Sequence, residues 1–300
     1  MKKIFQTILQ FLQKLKKPTT WILFLISLGL SIHISQKFFQ PNLSVVSTLT
    51  IIGQIFITFI AAGGIFSEKI QEKILNYMGY GNRTKKSNIS YLFSTIFFVL
   101  VITIYLLLPQ IAVLVNNFGA LAHQNGNLSI AQDRYELAIS LDENYSTAHY
   151  NLGLIYEDLF ENDSAKKEYK MAIMGGLDSA FNNLARLYIL EGNYSKATTL
   201  LRGGLEIVEN HEDEYQMLKN LGWALLMQER ISESISILQQ SVNIFPEKGA
   251  AHCLLAQGYE QTNQTFLANS EWDLCLSLAD IHNPDEDIWV GMAIERLNDQ

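Results

Sequence analysis

At Leu152 a Leu-Gly pair begins a pattern continued by Tyr156, Ala165, Tyr169 and Ala172, and much the same spacing returns about every 34 residues. No other feature restricts the fold as strongly. With Gly153 as the anchor, equivalent positions are Gly119, Ala185, Gly222 and Ala256, at intervals of 34, 32, 37 and 34 residues. Each anchor follows an apolar residue: Phe118, Leu152, Leu184, Leu221 and Leu255. Three residues after the anchors come Ala122, Tyr156, Tyr188, Leu225 and Tyr259, and twelve after them Ala131, Ala165, Ala197, Ser234 and Ala268. Sixteen after are Tyr135, Tyr169, Leu201, Leu238 and Trp272, and nineteen after Ala138, Ala172, Gly204, Ser241 and Cys275. A tiny residue is needed where two antiparallel helices approach most closely, and large side chains fill the gaps beside it. The pattern therefore predicts stacked helical hairpins.

A period of 34 with small and aromatic residues at these positions resembles the tetratricopeptide repeat. Turn signals agree: Gln124 to Asn127, Glu161 to Asp163, Glu191 to Asn193 and Gln261 to Asn263, with Pro246 ending the fourth repeat. The resemblance implies an α-solenoid of about five hairpins, to which a closing helix from Glu286 to Leu297 is added. With N-terminal transmembrane helices read from the apolar runs, the expected fold class is all-α. Gly119, Ala131, Gly153, Tyr156, Ala165, Ala185, Tyr188, Ala197, Gly222, Ala256, Tyr259 and Ala268 are the expected packing positions. The fourth repeat, with serines at both later small positions, is expected to pack less tightly. Its three extra residues, around Asn210 to Asp213, are expected to lengthen a loop.

The two halves of the chain differ in kind. Residues 1–110 carry eleven Lys/Arg against two acids, whereas residues 111–300 carry eleven against twenty-eight, a formal charge of −17. So acidic a domain repels phosphates, which argues against a nucleic-acid partner. Residues 1–110 read as a membrane anchor with spans near 20–39, 48–66 and 89–108, and residues 111–300 as the solenoid. The last run, about 20 residues without a charge, is long enough to cross a bilayer, and Pro109 is expected to break or kink it. The stretch from Lys2 to Lys17 combines five lysines with an apolar stripe, suiting either an anionic lipid surface or an extension of the first span. Under the positive-inside rule, basic residues before the first run and in the 67–88 loop place the repeats on the non-cytoplasmic side of a bacterial inner or thylakoid membrane. If the second run does not cross, they fall on the cytoplasmic side instead.

Family resemblance also implies a groove lined by the first helix of each repeat, which binds a protein segment. Carried over position by position, its residues are Asn116 and His123, then Tyr150 and Glu157, then Asn182 and Arg186, then Lys219, Trp223 and Met227, and last Gln257 and Glu260. Asn182, Arg186 and Lys219 give a partial likeness to the family's carboxylate clamp, opposed by Glu157 and Asp158. Trp223 with Met227 reads either as an apolar anchor for a partner or as packing against the next repeat. Cys253 is expected in the groove and Cys275 at a packing position, with their pairing open. His149 and His252 sit at a large first-helix position and read as packing or capping residues. The chain has no His-x-x-x-His or Cys-x-x-Cys spacing, and its Gly-Gly pairs lie in no phosphate-loop context. The reading is a non-enzymatic, membrane-tethered interaction scaffold or assembly factor without cofactors, partnered by membrane lipid and a membrane or envelope protein. The alternative is an accessory subunit of a translocation or transport complex that recruits cargo through its repeats.

Overall fold

The computed structural model describes residues 86–279 and 284–298. The expected spans near 20–39 and 48–66, and the basic N-terminal stretch, lie outside these residues. The described helices are α1 (Lys86–Gln124), α2 (Leu128–Leu141), α3 (Ser146–Asp158), α4 (Asn162–Met174), α5 (Ser179–Leu190) and α6 (Tyr194–Leu205). They continue as α7 (His211–Leu226), α8 (Ile231–Ile244), α9 (Gly249–Gln261), α10 (Thr265–Leu278) and α11 (Pro284–Asn298). The chain falls into two units, Met1–Gly119 with Glu136–Glu143, and Ala120–Tyr135 with Asn144–Gln300.

Helix α1, which belongs to the first unit up to Gly119, corrects one half of an expectation, the break but not the kink. The break at Pro109 is absent, and one helix of 39 residues carries the proline inside it. The apolar run likewise continues past residue 108. Val99, Leu106 and Val113 are exposed at intervals of seven, as are Leu107, Leu114 and Leu121. Ile102–Gln124 is long and apolar enough to cross a membrane, with a mean hydropathy of 1.6 and only 22% of its most apolar window buried. Among the described residues no other helix meets that test.

In the second unit, α3/α4, α5/α6, α7/α8 and α9/α10 are hairpins, each packed on the next. The anchors mark the closest approaches. A β-carbon on Gly153 would lie 2.6 Å from the Tyr169 ring, and one on Gly222 would overlap the Leu238 side chain. Ala131, Ala165, Ala185, Ala197, Ala256 and Ala268 are fully buried. The expected looseness of the fourth repeat is not found. Ser234 and Ser241 are fully buried, and their hydroxyls donate to the carbonyls of Gly222 (2.7 Å) and Tyr215 (3.2 Å) on α7. A hydroxyl thus does the work of a methyl while binding an otherwise distant backbone.

The three extra residues also fall elsewhere than expected. They lengthen α7 to 16 residues instead of extending a loop. Asn210 caps this helix, its side chain accepting from the Asp213 amide at 2.8 Å. Glu212, Asp213 and Glu214 then place negative charge in the first turn, where the helix dipole favours it.

Each hairpin turn contains a left-handed residue seven positions after the anchor: Gly126, Phe160, Gly192, Glu229 and Asn263, with φ of 74°, 59°, 76°, 60° and 56°. That conformation crowds the β-carbon of an L-residue, and Phe160, 91% exposed, gains nothing from burial in return. Phe160→Gly should therefore stabilise the array by about 1 kcal/mol, read as a higher urea midpoint. The α6 glycines should split. Gly203→Ala meets no atom within 4 Å and should gain about 0.5–1 kcal/mol of helix stability. Gly204→Ala places a methyl 2.8 Å from the Met217 sulfur and should lose about 1–3 kcal/mol in the same measurement.

Candidate functional site

First helices α3, α5, α7 and α9 form the inner face of the array, and on α3, α5 and α7 that face is polar. Arg186 is paired with Glu157, and Glu157 also accepts from the Tyr169 hydroxyl at 2.5 Å. The Asn183 amide donates to the hydroxyls of Tyr150 (3.3 Å) and Tyr169 (3.4 Å), whose rings lie 5.7 Å apart. Asn182 donates to Asn183 Oδ1 at 3.3 Å and accepts from Asn220 Nδ2 at 2.6 Å. A continuous ladder thus runs from Glu157 to Asn220 over three repeats. Burial and then Glu157 push the Tyr169 phenol well above its ordinary range, which keeps it a neutral donor. Burial similarly raises Tyr150.

Tyr150, Glu157, Asn182 and Arg186 are therefore brought together in one network. The clamp likeness is not realised as a free positive cradle, because Arg186 is engaged by Glu157 and Lys219, 8% exposed, donates to Gln216 at 2.9 Å. His123 pairs with Asp158 at 2.8 Å. Asn116, on α1, is 3% exposed and lies in the other unit. Position-by-position reasoning passed over Asn183 and Asn220. The signal was present, since asparagine stands two residues before the anchor in four repeats: Asn117, Asn151, Asn183 and Asn220. Asn220 is 1% exposed, and its Oδ1 has no partner.

Beyond α7 the inner face is covered by the chain itself. Helix α11 brings Trp289 edge-on to Trp223, ring centres 5.4 Å apart at 90°. Trp289 and Ala293 join the core formed by Cys253, Ala256, Tyr259, Trp272 and Cys275. Arg296 pairs with Glu260 at 3.2 Å, and Glu260 also accepts from the Trp272 indole at 2.9 Å. Gln257 turns back to the Cys253 carbonyl at 3.3 Å. Trp223 therefore packs within the chain, whereas Met227 is half exposed. Cys253 corrects its groove-facing expectation: fully buried, it is disulfide-bonded to Cys275, joining α9 to α10. The short Cβ reach across a tight hairpin makes that bridge possible.

His149 and His252 hold the same place in their repeats, four residues before the anchor, and each meets a glutamate fifteen residues after it. His149 Nδ1 lies 2.7 Å from Glu168, and His252 Nδ1 lies 2.6 Å from Glu271. Repeats three and four fill these positions with Phe181/Leu200 and Leu218/Ile237. The second nitrogen of His252 faces the Pro246 carbonyl at 2.9 Å, so both ring nitrogens meet acceptors. Burial pulls its pKa down, but the Glu271 and Pro246 hydrogen bonds outweigh that, and the net shift is upward from 6.5. Among the described residues no group of three or more His, Cys, Asp or Glu is placed to hold a metal.

Against known proteins, residues 146–174 and 177–247 match the tetratricopeptide repeat family. These two stretches are thus tetratricopeptide repeats. The chain is similar in fold to PilF of Pseudomonas aeruginosa, with 15% identity, 62% of this chain and 90% of that chain covered, and a TM-score of 0.52. YrrB, described as a TPR protein with an unusual peptide-binding site, matches at 21% identity over 60% of this chain and 90% of its own, TM-score 0.46. MamA of Desulfovibrio magneticus RS-1 matches at 16% over 56% and 94%, TM-score 0.48.

A histidine whose pKa rises on folding stabilises the fold fully below its unfolded value, and that stability is lost as pH climbs through the folded one. The wild-type urea midpoint should therefore fall between mildly acidic and mildly alkaline pH relative to that of His252→Phe. Parallel pH profiles for the two proteins would remove the assignment.

Proposed function

We propose that this chain is a membrane-tethered scaffold that holds a polar segment of a membrane or envelope protein against α3, α5 and α7. The hydrogen-bonded ladder from Glu157 to Asn220 carries this reading. It places partly buried polar groups along one face where an array serving stability alone would gain more from apolar packing. Asn182, Arg186 and Tyr150 are the contact residues, and Met227 stands at the end of the open stretch. The covering of Trp223 and Glu260 by α11 directs the partner to the earlier repeats.

Membrane tethering is supported by the exposed apolar columns of α1 and by the basic character of residues 1–110. The Cys253–Cys275 bridge supports placing the repeats on the non-cytoplasmic side, because disulfides persist in oxidising compartments. In cells quenched with acid and denatured before maleimide treatment, both cysteines should stay unmodified until a reductant is added. Labelling without reductant would move the array to the cytoplasm. A photo-crosslinker at Asn182 should give a discrete membrane-protein adduct that Arg186→Glu diminishes, whereas one at exposed Glu209 should not. Equal adducts from both positions would refute the inner face as the binding site.

A further inference from the structure

Second helices α4, α6 and α8 form the outer side of the array. Between α6 and α8 the rims of the intervening groove are joined by an ion pair. Arg202, seventeen residues after its anchor, bonds Glu233, eleven residues after the next. Glu233 also takes Arg230. One step earlier in the array, the same two positions hold Lys170 on α4 and Lys196 on α6. Two ammonium groups repel where guanidinium and carboxylate attract, so this groove has no closing pair at those positions.

A cleft of about 590 Å³ opens there. Leu184, Tyr188, Ile173 and Leu200, all part of one apolar cluster, line it, with Met174 79% exposed. Lys170 and Lys196 line it too, the latter with its ammonium 5.6 Å from the Tyr188 ring centre. A neighbouring space of about 310 Å³ shares Lys170, Tyr188 and Lys196, and adds Lys166 and Lys167. The acids there, Asp163 and Glu191, are both engaged by Lys166. Four of the eleven cations in residues 111–300 thus gather on one spot of a strongly acidic domain.

We propose that this outer cleft docks an acidic amphipathic helix of a protein partner. Its apolar side chains would enter the cleft, and its carboxylate would bridge Lys170 and Lys196, supplying in trans what Glu233 supplies within the chain one repeat later. The lining consists of helices whose own ladders use their backbone groups. An incoming segment must therefore satisfy its backbone internally, which a helix does and an extended strand does not. Positive rims in an otherwise negative domain select an acidic partner and repel a basic one. The site is on the opposite side of the hairpins from the inner ladder and does not depend on it.

The test uses the full chain in neutral detergent and a fluorescein-labelled helical peptide with leucines and glutamates on one face, read by anisotropy. Binding should saturate, weaken with salt, and weaken by at least about tenfold when glutamine replaces the peptide's glutamates. K196E recreates the α6/α8 arrangement across this cleft. It should abolish peptide binding while leaving thermal unfolding unchanged or raised. Met174→Glu, at an exposed position, should also abolish binding and keeps the test open should K196E alter the fold. Unchanged affinity in both folded variants, or equal binding of the glutamine peptide, would overturn the proposal. So would a cleft that takes laurate and not the peptide, because it would then serve an acyl chain.

Discussion

The array depends on how closely the two helices of each hairpin approach at the anchor. At Gly153 the ring of Tyr169 occupies the place of a β-carbon, and at Gly222 the Leu238 side chain does so. Because packing is dense, each such contact fixes the rotation of both helices about their axes. It thereby decides which side chains of the first helix face inward. The inner polar ladder exists because that rotation is repeated in α3, α5 and α7. Small residues in the second helices, Ala165, Ala197, Ser234 and Ala268, allow the same approach, and serine can stand for alanine once its hydroxyl finds a carbonyl.

From that frame the array divides into parts with different duties. Its polar inner stretch joins three repeats through Glu157, Tyr169, Asn183, Asn182 and Asn220. At the C-terminal end α11 covers α9 with Trp289 and Arg296, and the disulfide ties α9 to α10 beneath it. Buried His–Glu pairs stand in repeats two and five where repeats three and four hold apolar pairs. On the outer side, Lys170 and Lys196 stand where Arg202 and Glu233 pair one step later, and they line a cleft. These differences are small at the level of composition.

Much of this was determined by the sequence alone. The recurrence of Gly or Ala at the anchor, aromatics beside it and small residues later follows from close helix approach, and it sufficed for the hairpins, their phase and the closing helix. The inward position of Tyr150, Glu157, Asn182 and Arg186 follows from the same phase. What only the tertiary structure decided depends on partners distant in the chain. Phase can say that Trp223 faces inward, but not that Trp289, sixty-six residues later, covers it. Nor does it say that Cys253 turns to Cys275, or that three extra residues become helix once Asn210 caps it. Equally, it does not say that the helix of α1 runs on past Pro109.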